Sequence, residues 1–596
     1  MGSAVVRALR LLAVALALPA VLASIEGRDM NMDPDMNMDM NMGVADQPQD
    51  LYPPTYFAHP DHVTAIYVHI ALMVLAWVFI LPTAVMLSIA RSRHTLVVQF
   101  IFLVANAVGI AAGIGYNANT PDLYPGNAHH SLGWIVTWIV SAQIVVGLVG
   151  RLAGAIAKPQ NGEEQQAFIP VSTEAMAEHQ RIHQHPFSSP YRQSNDSGQG
   201  TEPNTESLRS NSVSTMASHD LPIDICDRRM TYDDEDEETS AYRPRETRAS
   251  GAIPSLVAKI ASGISGRTRR VIMFSYNLVD RTILILGYVA LCTGIIAYAR
   301  FFEGHEIFSG LAHWIKGGIF FWLGILTLGR WAGSFGELGW AWNVRPKQSS
   351  QRWRPTAEFV EGALIFTYGS TNVFLEHLGS SEASFSAEDL EHLSITILFI
   401  GGGLLAMLIE STRIRELLNM TVTEATLGDS HHTYSDEEKE ALEAPESYEF
   451  SINPIPALVI LLLGIMMSSH TQPSMTSSMI HKQWGNLLTG ASFARGFTYV
   501  LLYLKPPRSV LPSRPPTELL ASFGLISGGT LFMASSSDTV AGMIHYNLDA
   551  MFFYTVTMGA VGLLMAWVVV LLAVKGLAVR REALRNHAMR SARLRP

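Results

Sequence analysis

Cysteine is nearly absent. The chain has two, Cys226 in a polar loop and Cys292 inside an apolar run. Residues so differently placed are not expected to meet, and no disulfide framework is readable. Charge is also scarce: charged residues are 16% of the 596, against about 25% in a soluble globular protein. That deficit fits a chain whose solvent is partly lipid. No nucleotide-binding loop, flavin fingerprint or hydrolase triad can be read from the sequence, so no catalytic residue is assigned. The formal net charge is -10, with acid gathered in loops such as Asp233 to Glu238 and base placed beside hydrophobic runs. No nucleic-acid partner is expected.

What the chain has in abundance is apolar sequence, 48% of its residues. Residues 1–23 read as a signal peptide: Arg7 and Arg10 precede the apolar run Leu11 to Leu22, and Ala23 ends it. A bilayer core of roughly 30 Å needs about 20 apolar helical residues. Runs at about 63–90, 96–115, 131–157, 271–299, 309–330, 357–376, 392–412, 455–468, 484–504, 518–535 and 550–576 meet that need, the eighth being short and opened by Pro454 and Pro456. Basic residues then alternate as the positive-inside rule requires. Arg91 and Arg93, Arg151 and Lys158, Arg345 to Arg354, Arg413 and Arg415, Lys505 to Arg514 and the tail from Lys575 to Arg595 all fall on one side. The expected fold is an all-α polytopic bundle of about 11 spans in the lipid bilayer, N-terminus outside and C-terminus cytosolic.

Six segments follow. They are the signal peptide (1–23), a Met-rich non-cytosolic tail (24–62), a three-helix membrane module (63–158), a disordered cytosolic insert (159–252), a second membrane module (253–577) and a basic cytosolic tail (578–596). The insert is rich in Ser, Thr, Gln, Asn, Pro and acid and cannot bury enough apolar surface to fold alone. The expected location is the secretory pathway, plasma membrane or an endomembrane.

Histidines in or beside spans need an explanation, because an unpaired polar group there is costly. The topology puts His69, His129, His130, His313, His377, His392, His470, His481 and His545 on the outer side, and only His94 flanks a span from the inner side. Carboxylates repeat the pattern in Glu376-His377 and Glu391-His392. A histidine and carboxylate set is that of zinc, iron and copper sites, so His377, His392, His470, His481, Glu376 and Glu391 are candidate metal ligands. The tract from Asp29 to Met42 holds six methionines, among them Met36, Met38, Met40 and Met42. Thioethers favour Cu(I), which makes these four candidate ligands for copper or another transition metal. Asp280 and Arg281 lie in the inner third of the fourth span, expected to pair with other helices. Lys316 and Arg330 are placed to snorkel to opposite interfaces.

His69-Ile-Ala-Leu-Met-Val-Leu-Ala-Trp77, Leu81-Pro82, Ala90-Arg91 and His129-His-Ser-Leu-Gly133 with Gln143 resemble helices of the ascorbate-reducible, di-haem transmembrane cytochromes b. The resemblance implies haem ligands at His69 and at His129 or His313. It departs from the family at the fourth span, where Tyr276 and Asn277 stand in place of a ligand histidine. One b-type haem at most is therefore expected. Ala312 to Phe321, Gly339-Trp-Ala-Trp-Asn343, Asp389 to Ser394, Gly401 to Leu405, Met479-Ile-His-Lys-Gln-Trp-Gly485 and Asp538-Thr-Val resemble the fungal Ytp/Ftp family of integral membrane proteins, itself likened to electron-transport proteins. The reading that follows is metal-linked redox chemistry or metal handling at the non-cytosolic face, with a cytosolic electron donor or regulatory partner encoded elsewhere. A metal ion transporter and a non-catalytic scaffold regulated through the insert are the alternatives.

Overall fold

The structure, a computed structural model, describes residues 52–156, 266–303, 307–346, 355–377, 387–427, 440, 443–470 and 472–593. The signal peptide, the methionine tract and the polar insert (159–252) lie outside them. Residues 1–148 with 271–596 form one compact unit and 149–270 another. The described part of the second is helix at 149–156 and 266–270.

Every regular element among the described residues is helical. The helices are α1 (Val63–Ile89), α2 (Thr95–Asn119), α3 (Ala128–Ile156), α4 (Gly266–Ala299), α5 (Ile307–Ala332), α6 (Ala357–His377), α7 (Ala387–Glu410), α8 (Thr412–Leu427), α9 (Ile455–Ser469), α10 (Met475–Leu504), α11 (Pro516–Ala534), α12 (Ser537–His545) and α13 (Ala550–Arg593). A helix stands on each of the eleven apolar runs. Among the described residues, nine of these helices are long and apolar enough to cross a membrane, α6 and α9 being the exceptions. Trp138 (67% exposed), Phe274 (69%) and Phe497 (63%) look outward from the bundle, as side chains do when the surroundings are hydrocarbon.

α9 has 15 residues, about 22 Å at 1.5 Å per residue, less than the roughly 30 Å of a bilayer core. It nonetheless runs the length of its neighbour. At one end His470 Nδ1 lies 2.9 Å from Glu391 at the start of α7. At the other, Asn453 donates to the Ala406 carbonyl (2.9 Å) and Ser451 to Glu410 (2.7 Å) at the end of α7.

Two details show how the sequence sets the helices. Pro82 has no N–H, so the carbonyl of Val78 loses its partner one turn back. The indole of Trp567 on α13 donates to that carbonyl at 2.9 Å, and a π-helical turn at Leu75–Ile80 precedes it. Elsewhere glycines let backbones meet. A Cβ on Gly317 of α5 would stand 2.5 Å from the Gly529 carbonyl of α11, and one on Gly464 of α9 would stand 2.7 Å from the Gly485 carbonyl of α10. Close approach through small residues is how helices associate without a hydrophobic driving force.

The buried apolar side chains gather mainly in two cores. Ala76, Trp77, Leu81, Phe102, Val136, Val140 and Ile283 form one among α1 to α4. Phe320, Phe399, Leu463, Ile480, Trp484, Leu488, Leu525 and Phe532 form the other. α13 does not end with its apolar part. The Ala-, Leu- and Arg-rich stretch to Arg593 consists of helix formers, so the basic tail at 578–596 is largely helical. α8 likewise extends helix into the acidic stretch after α7.

Candidate functional site

The start of α1, the end of α2, the start of α3 and the end of α4 meet at one end of the N-terminal core. His69 of α1 and His129 of α3 face each other there, with ring centroids 6.3 Å apart and planes at 83°. His69 Nδ1 lies 2.8 Å from the Gly109 carbonyl. A carbonyl only accepts, so Nδ1 carries the proton and Nε2 the lone pair. His129 Nδ1 lies 3.3 Å from Thr293 Oγ1. The one proton of that hydroxyl goes to the Ala290 carbonyl (3.0 Å), so it accepts from Nδ1–H and leaves the lone pair again on Nε2. This is the tautomer in which histidine binds a metal through Nε2, its other nitrogen oriented by a hydrogen bond. Glycines make room for both rings: a Cβ on Gly113 would stand 2.7 Å from His69 Nδ1, and one on Gly294 would stand 3.1 Å from His129 Cε1.

The second core repeats the motif. His313 of α5 and His481 of α10 have ring centroids 6.1 Å apart and planes at 86°. His481 is buried, 3% exposed, and its Nδ1 donates to the Ser477 carbonyl at 2.9 Å. A third pair, His392 and His470, has centroids 6.5 Å apart and planes at 32°. Its His470 reaches Glu391, 59% exposed, a contact that solvent screens to little value. Of the histidines expected to share one metal site, His470 neighbours both His392 and His481. His481 lies with His313, and His392 with His470. The side chains of Glu376 and His377, and Met36 to Met42, lie outside the described residues. Among the described residues, no cluster of three or more His, Cys, Asp or Glu side chains is set to hold a metal ion.

Tyr52 and Phe302, on loops, meet the short helix α12. Tyr52 stacks on His545 (4.3 Å, 11°), and Asp538 accepts the Phe302 N–H at 2.5 Å. Burial, then the neighbouring Tyr546 and Asp538, push the Tyr52 phenol above its ordinary pKa, so it stays protonated.

The opposite end of the second core holds charges that the sequence reading missed. Arg330 is not at an interface: it is 2% exposed. It bonds Glu358 (2.8 Å) and Glu361 (2.9 Å) of α6 and lies over the Trp342 ring at 4.3 Å. Arg495 of α10 bonds Glu361 (3.2 Å) and pairs with Glu518 of α11 (2.8 Å). Glu358 and Glu361, three residues apart in an apolar run, were the available signal, because buried carboxylates need cations. In the first core Asp280 is buried and accepts from Gln143 of α3 at 3.2 Å, while Arg281 is exposed. Tyr276, standing where a ligand histidine was expected, has its hydroxyl 3.4 Å from Ser88 Oγ of α1.

Residues 286–576 match the family model described as Protein YTP1-like, C-terminal, and residues 50–153 match a domain of unknown function, DUF2427. The chain is 34% identical over 529 residues to an uncharacterized membrane protein of Schizosaccharomyces pombe, covering 86% of this chain and 94% of that protein. It is 38% identical over 310 residues to an uncharacterized membrane protein of Saccharomyces cerevisiae, covering 50% of this chain and 47% of that one. Protein YTP1 of Saccharomyces cerevisiae is 20% identical over 289 residues, 48% of this chain and 51% of YTP1. No solved structure matches the chain. With both membrane modules matched and a relative aligned over nearly its whole length, the chain belongs to the fungal YTP1-like family of multi-pass membrane proteins.

Proposed function

We propose that this protein is a haem-dependent electron carrier of the membrane, with one b-type haem held between His69 and His129. The observation that carries the reading is the spacing of that pair. Two imidazoles holding one metal between them would have ring centres about 6 Å apart at metal–nitrogen bonds of about 2.0–2.1 Å, and the centroids here are 6.3 Å apart. Pairing also favours haem over a bare ion. Zinc takes three or four protein ligands, whereas a haem would need only His69 and His129 from the protein. Gly109 and Thr293 hold both rings in the Nε2-ligating tautomer, and Gly113 and Gly294 keep side chains off the rings.

A haem bound there would supply one-electron exchange. The chain's own part is to fix both ligands on separate helices, half-buried between α1 and α3, and to present one end to a donor and acceptor. The methionine tract at 29–42 fits Cu(I) and makes copper a fitting metal substrate. The test is the absorption spectrum of the purified full-length protein, oxidised and dithionite-reduced. The expected result is a b-type spectrum whose haem content falls by one per chain in H69A and in H129A. A protein without haem, or haem content unchanged in both variants, overturns the reading.

The buried network of Arg330, Arg495, Glu358, Glu361 and Glu518 favours a second reading, a metal ion transporter. Two cations against three carboxylates leave an excess of one acid inside the bundle. Metal uptake into vesicles by haem-free protein, lost in E361Q, would move the assignment there.

A further inference from the structure

We propose that the turn between α1 and α2, together with the far part of α13, forms a binding site for a membrane phospholipid whose headgroup carries a phosphate monoester. The proposal is independent of the haem reading and uses none of its residues.

A cavity of about 390 Å³ lies between these elements, within the range of about 300–1,000 Å³ that small-molecule sites occupy. Leu87, Arg93 and His94 line one wall, and Leu577, Arg581 and Arg585 line the other. The turn is fixed. Arg91 takes a left-handed φ of 53°, and the Ser92 N–H returns to the Leu87 carbonyl at 2.9 Å, which closes α1 as a left-handed cap does. The next N–H, that of Arg93, donates to Glu582 of α13 at 3.3 Å. Beneath them Leu87, Ala90 and Ala578 pack with Val574.

Depth points to a lipid. No charged residue interrupts α13 from Ala550 to Val574, a length of about 37 Å at 1.5 Å per residue. That passes the roughly 30 Å hydrocarbon core and reaches the headgroups. Lys575 is the first charge, so Leu577 stands near the boundary, and Arg581 and Arg585 stand one and two turns beyond it. The cavity is therefore apolar where acyl chains would enter and basic where phosphates would lie. Leu577 is 47% exposed, a cost in water that an acyl chain relieves. A soluble anion would leave that wall unused. The alternation of basic loops points this end to the cytosolic leaflet, where basic pockets between helices take phosphorylated headgroups.

Charge selects the headgroup. Arg581 and Arg585, four residues apart, share one face of α13. Glu582 lies 3.8 Å from Arg585, and Arg93 Nε donates to His94 Nε2 at 3.3 Å. Three arginines against one carboxylate leave an excess of two positive charges with His94 neutral. A phosphodiester carries one negative charge, whereas a monoester carries about 1.5 to 2 at pH 7. Guanidinium forks also match phosphate oxygens in pairs.

The test is native mass spectrometry of the purified full-length protein with phosphatidylinositol 4-phosphate, phosphatidylserine or phosphatidylcholine added, in wild type, R580Q, R581Q and R581Q/R585Q. Arg580, Arg581 and Arg585 are exposed, so the variants should keep the fold. Wild type should bind the phosphoinositide most tightly. At about fivefold for each basic residue at the membrane surface, R581Q should lose about fivefold and the double variant roughly 25-fold. R580Q, one position round the helix and outside the cavity, should lose nothing. Equal losses in R580Q and R581Q, or unchanged binding in R581Q/R585Q, overturn the site. Phosphatidylserine bound as tightly as the phosphoinositide overturns the monoester assignment. Soluble inositol bisphosphate competing as well as the whole lipid overturns the lipid as the source of the phosphate.

Discussion

Replacing Arg495 by methionine tests whether the buried charges hold the second bundle together. Arg495 is 6% exposed, and its partner Glu518 is completely buried. Methionine fills similar volume without the charge. Glu361 keeps Arg330 at 2.9 Å, but Glu518 loses its 2.8 Å partner. Removing one member of a buried pair costs about 3–5 kcal/mol, because the charge left behind is uncompensated. Loss of the hydrogen bond from Arg495 to Thr327 (3.0 Å) adds about 1 kcal/mol. At roughly 2–4 °C per kcal/mol for a cooperative unit of about 150–250 residues, Tm should fall on the order of 10 °C. Thermal unfolding of purified protein in detergent, followed by size-exclusion recovery, measures it. The double variant R495M/E518M should regain at least half of the loss, since replacing both members of a buried pair by apolar groups is often nearly neutral. A loss below about 1 kcal/mol in R495M, or no coupling in the double-mutant cycle, would refute a desolvated network.

Three further outcomes are expected. G113A should lower the haem content assigned to His69, because its Cβ would stand 2.7 Å from His69 Nδ1, whereas G115A, with nothing within 4 Å, should leave it unchanged; equal effects in the two would sink the cradle argument. W567F should destabilise by about 1–3 kcal/mol by orphaning the Val78 carbonyl, and adding P82A, which restores a backbone N–H one turn on, should return part of that in the same thermal assay. Serine at Met36, Met38, Met40 and Met42 together should weaken Cu(I) binding by the full-length protein in competition with a chromogenic chelator and leave Tm unchanged; unaltered affinity would remove copper from the reading.

The helices were legible because hydrophobicity is a local signal. A run of about 20 apolar residues has few other uses, and each of the eleven runs became a helix. The histidines were legible one at a time, as polar groups out of place, but not as pairs. Pairing depends on which helices are neighbours, and no local pattern links His313 to His481. Grouping by membrane side put His377, His392, His470 and His481 in one site; the fold brings His470 beside both His392 and His481 and adds His313, which that grouping left out. Arg330 misled for the same reason. A cation near a span end reads as a snorkelling side chain until α6 brings Glu358 and Glu361 against it.

Helix direction ties the short α9 to the site. A bundle that reverses at each crossing brings two helix starts to the same end only when an even number of crossings separates them. His313 lies near the start of α5 and His481 near the start of α10, so α5, α6, α7 and α9 must all traverse the bundle for the two rings to meet. If α9 failed, His481 would stand at the end occupied by Arg330. Its 15 residues suffice because its start is anchored to the end of α7, through Asn453 with the Ala406 carbonyl and Ser451 with Glu410. Gly464 and Gly485 seat it directly on the backbone of α10. The apolar length that α9 lacks is thus replaced by polar anchors at its start and by a glycine contact in its middle. The same contact fixes the turn that carries His481.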